Sequence, residues 1–276
     1  MEKIIIAQIA GGLGNQLFQY AFARNVASET DAKLLLDVSF NTIYTTPKRE
    51  LDLLLFPIHA EILSNVHLET LPNEINMLEE TCNLFYEDID MDSLEFPLFL
   101  SGYRQSWKYF VSIEKMLRTE LCFENSKFPE KVMALSELIA NTCSVGIHIR
   151  RTDYAQNPHL GMLPNSYYYQ AVNYLKQKND EFRFYIFSDD PAWVEAALDI
   201  PESFQIIKGN NGFEDFYLMS QCRNNIIANS SYSWWAAWLN QNPAKIVVAP
   251  RFWKLGENLD VTKTDLIPPE WITLWS

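Results

Sequence analysis

The chain has 276 residues, 48% of them hydrophobic and 21% charged, so it can bury the core of one large domain or two small ones and is not a disordered chain. Its 35 acidic residues outnumber its 22 basic residues and give a formal charge of -13, which would repel a nucleic-acid backbone or an anionic membrane. Any anionic ligand must therefore meet a local group of arginines.

Cysteine usage and the length of the apolar runs indicate the compartment. The four cysteines have neither CxxC nor metal-type spacing, which indicates reduced thiols in an intracellular protein. The first residues lack the anatomy of a signal peptide, and no run approaches the roughly 18 apolar residues of a membrane-spanning helix. We expect a cytoplasmic protein without a transmembrane segment, and a peripheral contact with the inner membrane is left open.

The first elements are a strand, a glycine-rich turn and a helix. Residues 3–9 form an apolar run of strand length, the sequence GGLGNQ follows from Gly11 to Gln16, and an amphipathic pattern continues to about residue 28. Glycines permit close backbone approach, and a helix beginning near Asn15 directs N–H groups towards the turn, which suits a ligand. An ordinary tight turn explains the same residues equally well, because the segment is neither a P-loop nor GxGxxG.

Residues 41–92 show no regular period apart from short helical patches at 58–63 and 74–82. The stretch contains two overlapping DxD motifs, formed by Asp88, Asp90 and Asp92. Such carboxylates can hold a metal ion against a diphosphate. No glycine turn or strong strand presents them here, so we interpret the stretch as a solvated acidic loop.

A strand at 97–102 and a helix at 106–121 complete the first half, and a helix at 129–141 opens the second. We therefore divide the chain into domains of residues 1–130 and 131–276, with the last residues able to pack back on the first domain. No Gly/Ser-rich linker separates the halves, which indicates close packing between them.

The second half alternates regularly between strands and helices. The predicted strands are 143–149, 182–187, 205–207, 225–228 and 245–249, and the predicted helices between them are 166–177, 191–198, 213–221 and 233–239. Such alternation predicts an α/β domain with a parallel sheet and helices on both faces.

Polar residues follow three of these strands where each strand ends. They are His148, Arg150, Arg151 and Asp153, then Ser188, Asp189 and Asp190, and finally Asn229, Ser230 and Ser231. Ligands of open α/β sheets bind beyond the carboxyl ends of the strands, so neighbouring strands would bring these residues into one crevice.

Arg150 and the helix that follows Ser231 suit an anion. Arg150 offers a planar fork of donors to a phosphate, while Arg151, directed to the other side of the strand, is assigned a structural role. A salt bridge is the usual role of a lone arginine, and Ser230 alone would be an ordinary N-cap. Together with the donors of a helix start, however, these residues form an anion site that needs no metal.

The other polar residues keep two interpretations each. His148 is either a structural histidine or a donor to a base or ribose, and Asp189 either caps a helix or faces ribose hydroxyls. Asp215 lies in an acidic helix start, where the dipole stabilises it, but its carboxylate could also pair with the N1 and N2 hydrogens of guanine. Trp234 and Trp235 are predicted to be core residues rather than a sugar platform.

Four segments together resemble the bacterial α-1,2-fucosyltransferases of glycosyltransferase family 11. They are residues 12–16, 148–153, 187–190 and 229–235, and their order and spacing cover most of the chain. The HxRRxD element within 148–153 is by itself similar to the wider α-1,2/α-1,6/O-fucosyltransferase group. The resemblance implies an α/β fold of the GT-B type, in which two Rossmann-type domains flank a cleft, the first on the acceptor side and the second binding GDP-fucose.

The same resemblance implies an activity. It is the inverting, metal-independent transfer of L-fucose from GDP-fucose to the 2-hydroxyl of a terminal β-galactoside, in bacterial surface glycan synthesis. GDP-fucose is then the donor substrate, and neither a cofactor nor a metal is implied. A fucosyltransferase of another linkage, a transferase of another GDP-sugar, and a nucleotide-sugar-binding protein without turnover remain as alternatives.

The resemblance also assigns residues by position. Those that would bind the donor are Gly12, Gly14, His148, Arg150, Asp189, Asp215, Ser230 and Ser231. Arg150 would hold the β-phosphate, Ser230 and Ser231 would add donors around the diphosphate, and His148 and Asp215 would contact the guanosine.

Asn15 matches an asparagine that lies near the reacting centre in the O-fucosyltransferases, so it joins Arg150 as a candidate catalytic residue. The catalytic base is where the chain departs from the related α-1,6 enzymes, which carry a glutamate some residues after HxRR. The corresponding residues 157–159 here contain no carboxylate. Asp153 is the first candidate for the base and His159 the second.

Overall fold

The structure is a computed structural model that describes residues 2–44, 50–155, 157, 159–179 and 181–275. The chain forms two compact units. The first extends to Cys122 and includes Thr264–Leu266, and the second runs from Phe123 to Lys263 and resumes at Ile267.

The boundary lies eight residues before the predicted one. Phe123 and Phe128 explain the difference, because their rings pack on Tyr217 of the second unit with centroid distances of 5.1 Å and 4.2 Å. Phe128 also stacks on Phe213 at 5.7 Å. The segment that links the halves thus belongs to the aromatic core of the second unit.

The first unit is a parallel sheet with the strand order β3-β2-β1-β5-β4. Its strands are β1 (Ile4–Gln8), β2 (Lys33–Asp37), β3 (Glu61–Ile62), β4 (Asn76–Leu78) and β5 (Leu98–Leu100). Its α-helices are α1 (Leu13–Thr30), α2 (Asn65–Thr70) and α3 (Glu114–Glu120). The apolar residues of β1 and most of α1 are buried together, so this pair forms the centre of the unit.

Two predictions for the first half are wrong. The patches at 58–63 and 74–82 contain the short strands β3 and β4 instead of helices. The helix predicted at 106–121 is confined to α3, and two 3-10 turns precede it.

The second unit is a six-stranded parallel sheet with the order β11-β10-β9-β6-β7-β8. Its strands are β6 (Ser144–Ile149), β7 (Arg183–Ser188), β8 (Phe204–Ile206), β9 (Asn224–Ile226), β10 (Val247–Pro250) and β11 (Ile272–Leu274). Its helices are α4 (Glu130–Ala140), α5 (Thr152–Ala155), α6 (Asn165–Lys176), α7 (Pro191–Ala197), α8 (Gly212–Gln221) and α9 (Ser231–Leu239). The predicted class, two α/β domains with parallel sheets, is confirmed.

The end of the chain contributes an edge strand that the sequence did not predict. Residues 272–274 form β11 beside β10 in the second unit, and only Thr264–Leu266 group with the first. There, Asp265 forms an ion pair of 2.6 Å with Lys108 and accepts a hydrogen bond from the backbone of Tyr86. Among the described residues, no helix combines the length and apolarity needed to cross a bilayer.

The strand order creates one switch point in each sheet. From β6 the chain builds outward through β7 and β8, then returns to the other side of β6 and builds outward again from β9. The carboxyl ends of β6 and β9 therefore flank a crevice of the kind in which doubly wound folds bind ligands. In the first sheet, the ends of β1 and β5 flank the corresponding position.

Candidate functional site

Arg150 follows β6 at the switch point of the second sheet. Its guanidinium forms ion pairs with the Oδ2 atoms of Asp153, at 2.7 Å, and Asp189, at 3.2 Å. Burial alone would lower the pKa of Arg150, but the two carboxylates outweigh it and hold the pKa above its ordinary value. Arg150 is thus a charged side chain, 28% exposed, that two carboxylates contact.

Asp189 connects the end of β7 to the loop that follows β6. One carboxylate oxygen accepts the backbone N–H of Arg151 at 2.8 Å, and the other accepts the hydroxyl of Thr152 at 2.7 Å. Asp189 also receives the backbone N–H of Thr152 at 3.3 Å and the ion pair from Arg150. Both oxygens thus hold the loop that follows β6, and the predicted contact of Asp189 with the ribose stays a prediction.

Arg151 and Asp190 occupy structural positions. The Arg151 guanidinium lies over the ring of Trp193, a residue of α7, at 3.8 Å from the ring centroid. Asp190 caps α7, since its carboxylate accepts the backbone N–H of Trp193 at 2.9 Å. Of the two neighbouring arginines, Arg150 is therefore the one at the switch point, and its predicted contact with the diphosphate stays a prediction.

The start of α9 forms the other side of the crevice. Ser230 is the N-cap residue in extended conformation, but its side chain makes no capping hydrogen bond, and α9 begins at Ser231, two residues before the predicted start. The dipole and the N–H groups of a helix start favour an anion at this position.

Tyr154 connects the two sides, and the sequence analysis missed it. Its hydroxyl donates to the backbone oxygen of Asn229 at 3.0 Å and also hydrogen-bonds the Ser230 side chain. Burial raises the pKa of Tyr154 to about 12, and the Arg150 guanidinium lies 5.7 Å from its ring centroid. An aromatic residue in a four-residue helix carries no periodic signal, so the pattern of the sequence could not identify it.

Asn229 is a buried structural residue. Its side-chain amide donates to the backbone oxygens of Leu160, Gly161 and Trp253 at 3.1, 3.2 and 3.0 Å. These bonds fasten two loops to the segment that leads into α9 and hold the helix start in place.

His148 is buried on β6 beside Tyr232, with 5.3 Å between the ring centroids. Burial, reinforced by the charge of Arg150, lowers the pKa of His148 to about 3, so the ring is neutral at ordinary pH. Its Nδ1 atom has no hydrogen-bond partner among the described residues. The predicted contact of His148 with guanosine stays a prediction. The neutral ring offers one hydrogen-bond donor and one acceptor for such a contact.

Asp215 lies in the first turn of α8, but it is not the residue that caps the helix. Asn211 and Glu214 form a reciprocal capping box there. Burial raises the pKa of Asp215 to about 6, against a hydrogen bond of 3.0 Å from Asn210 that lowers it. Its neighbour Phe216 packs on Tyr232, which places α8 beside the start of α9.

The glycine turn occupies the switch point of the first sheet. Gly11 has a φ of 81°, whereas Gly12 has a φ of -78° and is the N-cap of α1, and Gly14 is helical. Gly11 is therefore the residue whose backbone needs glycine, and Gly12 and Gly14, which were predicted to line the donor, are not held to glycine by positive φ. The side chain of Asn41 supports the turn by donating to the oxygen and accepting from the N–H of Gly11, at 2.9 and 2.8 Å.

Asn15 lies in the first turn of α1 and contacts the loop that follows β5. Its Oδ1 atom accepts a hydrogen bond of 2.8 Å from Nε2 of Gln105, a largely buried residue. This bond fixes the orientation of the Asn15 amide at the switch point between β1 and β5. The predicted role of Asn15 near the reacting centre stays a prediction.

The candidate bases differ in surroundings. Asp153 is 46% exposed and bonded to Arg150, and His159 is 75% exposed, with its Nδ1 atom 3.8 Å from Glu257. Within residues 157–159, which correspond to the glutamate region of the α-1,6 enzymes, Pro158 lies outside the described residues.

The DxD motifs of the first unit lie at the surface. Asp88, Asp90 and Asp92 are exposed, and Asp90 accepts the backbone N–H of Asp92 at 3.2 Å to cap a 3-10 turn. Among the residues that the structure describes, no three His, Cys, Asp or Glu side chains are grouped as metal ligands.

The fold and the site define a class. Two α/β domains with parallel sheets are the architecture of the GT-B fold. NodZ, an α-1,6-fucosyltransferase whose crystals were soaked with GDP-fucose, superposes with a TM-score of 0.54, covering 87% of this chain and 93% of NodZ at 13% sequence identity.

The family follows from the sequence. Residues 61–275 match the model of glycosyl transferase family 11, and the chain belongs to this family. An α-1,2-colitosyltransferase of Escherichia coli is 31% identical, with 99% of each chain covered. The O-antigen biosynthesis glycosyltransferase WbnK of E. coli is 33% identical over 96% of this chain and 99% of WbnK. Galactoside α-(1,2)-fucosyltransferase 1 of Mus musculus is 26% identical over 83% of this chain and 61% of the mouse protein.

Proposed function

We propose that this glycosyltransferase transfers L-fucose from GDP-fucose to the 2-hydroxyl of a terminal galactoside, with inversion at the anomeric carbon. The observation that carries the proposal is that Arg150 and the start of α9 lie on the two sides of the β6–β9 switch point, with Tyr154 between them. The relatives named for α-1,2 transfer support the linkage, and the O-antigen enzyme supports a role in surface glycan synthesis.

In this reaction the bond between fucose and the diphosphate breaks through an oxocarbenium-like transition state, and negative charge builds on the departing GDP. Arg150 and the first turn of α9 stabilise that charge more strongly as it develops, which lowers the barrier rather than only tightening substrate binding. The neutral His148 and the carboxylate of Asp215 orient the guanosine, so that the β-phosphate meets Arg150.

GDP-colitose is the second candidate donor, because the E. coli relative that covers the whole chain is named for colitose. Colitose is fucose without its 3-hydroxyl. A site built to bond that hydroxyl discriminates strongly against the deoxy sugar, whereas a site that does not touch it accepts both. Turnover of the two donors at equal concentration decides between them.

The experiment that tests the function measures GDP release with and without lactose. Transfer requires that release depend on the acceptor, with one fucosylated product formed for each GDP. Binding of GDP-fucose without release under either condition would make the protein a nucleotide-sugar-binding protein without turnover and would contradict the proposal.

Transfer is expected to continue at an unchanged rate in excess EDTA. Arg150 and a helix start supply the positive charge that a metal ion would otherwise provide to the diphosphate. The same release assay after EDTA treatment measures this. Loss of activity that Mn²⁺ or Mg²⁺ restores would contradict it and would direct attention to Asp88, Asp90 and Asp92.

Asp215 gives the proposed site a pH dependence. Its pKa, raised by burial to about 6, means that the carboxylate loses its charge as the pH falls through that value. The ionised form accepts the N1 and N2 hydrogens of guanine, so the contribution of Asp215 to GDP affinity is expected to be constant above about pH 6 and to be lost below it.

Calorimetric titration with GDP across this range provides the test, with Asp215→Asn as the variant and Asp199→Asn, an exposed aspartate of the same unit, as the control. The ionisation of GDP is common to all three proteins and cancels in the comparison. An identical pH profile for Asp215→Asn and the unmodified protein would contradict the role of Asp215.

A further inference from the structure

The two carboxylates on Arg150 differ in how they are held. Asp189 is 17% exposed and accepts three further hydrogen bonds from Arg151 and Thr152. Asp153 is 46% exposed, and the hydrogen bond from Arg150 is the one that its carboxylate accepts in the described part of the chain. Asp189 is built into the fold, whereas Asp153 can turn away without breaking any other bond described.

Arg150 is positioned independently of Asp153. Asp189 pairs with its Nη1 atom at 3.2 Å, and the ring of Tyr154 lies beside the guanidinium. Asp153 pairs with Nη2 at 2.7 Å, on the other branch of the fork. A phosphate that binds an arginine through two hydrogen bonds needs both Nη atoms, or the edge of the guanidinium that includes Nη2. Asp153 occupies Nη2 in either case.

From these contacts we propose that Asp153 is an exchangeable counter-ion, which occupies Arg150 in the donor-free protein and is displaced by the diphosphate of the nucleotide. The inference rests on the proposed function, since it takes the GDP moiety as the ligand of Arg150. It gives Asp153 the role of a displaceable counter-ion in place of the predicted role as catalytic base.

The stereochemistry supports this assignment. In an inverting displacement the base activates the acceptor on the face of the sugar opposite the leaving group. A carboxylate that is 2.7 Å from the arginine of the leaving phosphate lies on the leaving-group side. Asp153 in this position competes with the diphosphate for Arg150, and after displacement its charge still repels the phosphate.

Removing the charge of Asp153 should therefore tighten GDP binding. An exposed ion pair of this kind is weak, so Asp153→Asn is expected to lower the Kd for GDP by about two- to fivefold. GMP lacks the β-phosphate, so its Kd is expected to be unchanged. A fall of about 10²- to 10⁴-fold in the single-turnover rate of fucose transfer would mark Asp153 as the general base and would overturn the inference.

Glu195→Gln is the matched control. It removes one negative charge from an exposed glutamate of the same unit, which pairs with Lys208 rather than with Arg150. Calorimetry with GDP and GMP is carried out on the unmodified protein, Asp153→Asn, Asp153→Ser and Glu195→Gln, with thermal unfolding to verify that each variant is folded.

Tighter GDP binding in both Asp153 variants, with Glu195→Gln unchanged, is the expected result. Unchanged or weaker GDP binding in folded Asp153 variants of a protein that binds GDP would overturn the inference and leave the proposed function standing. Failure of the unmodified protein to bind GDP would instead overturn the proposed function, and the inference with it.

Discussion

Replacing Arg150 with alanine is expected to lower kcat/KM for GDP-fucose by at least about 100-fold, the usual effect of removing a group aimed at developing charge. The fold should remain intact, because Asp189 keeps its bonds to Arg151 and Thr152 and still fastens the loop after β6. Steady-state kinetics, GDP calorimetry and circular dichroism together measure the effect. Arg150→Lys keeps the charge but loses the planar fork of donors, so its kcat/KM should lie between the values of Arg150→Ala and the unmodified protein.

The matched control is Arg183→Ala. Arg183 is an exposed arginine of the same sheet, at the amino end of β7 and therefore at the opposite edge from Arg150. Its removal should leave kcat/KM unchanged. A folded Arg150→Ala protein with nearly normal turnover would contradict the assignment of Arg150 to the diphosphate.

Trp234→Ala is expected to reduce the free energy of unfolding by about 3–5 kcal/mol, as for other large-to-small changes of buried aromatic residues. Trp234 is fully buried in α9, as predicted, and its ring lies 5.2 Å from the rings of both Trp235 and Trp271. The substitution should also disturb the candidate site, because the packing of α9 determines the position of Ser230 at the start of this helix.

Chemical denaturation measures this change, with Trp275→Ala as the control of the same residue type. Trp275 is 59% exposed and contacts Arg251 and Phe252 at the surface, so its loss should cost no more than about 1 kcal/mol. Equal destabilisation by the two substitutions would contradict the view that α9 is held by its buried tryptophans.

The second unit was largely predictable because its strands and helices carry strong patterns. All six residues of β6 are buried, and the helices that follow show the apolar spacing of a covered face, so type and order could be recognised within a few residues. The register of β6 between β7 and β9 then brings the predicted strand ends together. The alternation predicted the two strand ends that carry Arg150 and Ser230, and the strand order places them side by side.

The middle of the first unit was not predictable for a physical reason. The strands β3 and β4 have two and three residues, and their apolar side chains Ile62 and Met77 are exposed. Such strands are formed by pairing with β2 and β5 and not by burial, so neither alternation nor a helical period marks them. The pattern of residues 41–92 gave no basis for placing them.

The details of the site depend on contacts that a sequence pattern does not contain. Sequence reasoning found Arg150 but could not assign Asp189 to the backbone of Arg151, or Tyr154 to Asn229 across the switch point. It also could not tell which glycine of the turn needs its special backbone freedom, and Gly11 is the one of this turn with a positive φ. These contacts join residues that are about 40 to 75 positions apart, and only the packed fold determines them.

The central claim is the transfer of fucose to the 2-hydroxyl of a galactoside, and NMR of the product tests it most directly. The protein is incubated with GDP-fucose and a panel of lactose, lacto-N-biose and N-acetyllactosamine, and the linkage of the new residue is determined. The account predicts an α-linked fucose on O2 of the terminal galactose of at least one acceptor, with equimolar GDP. Fucose on another hydroxyl, or no transfer to any galactoside of the panel by a protein that binds GDP, would contradict it.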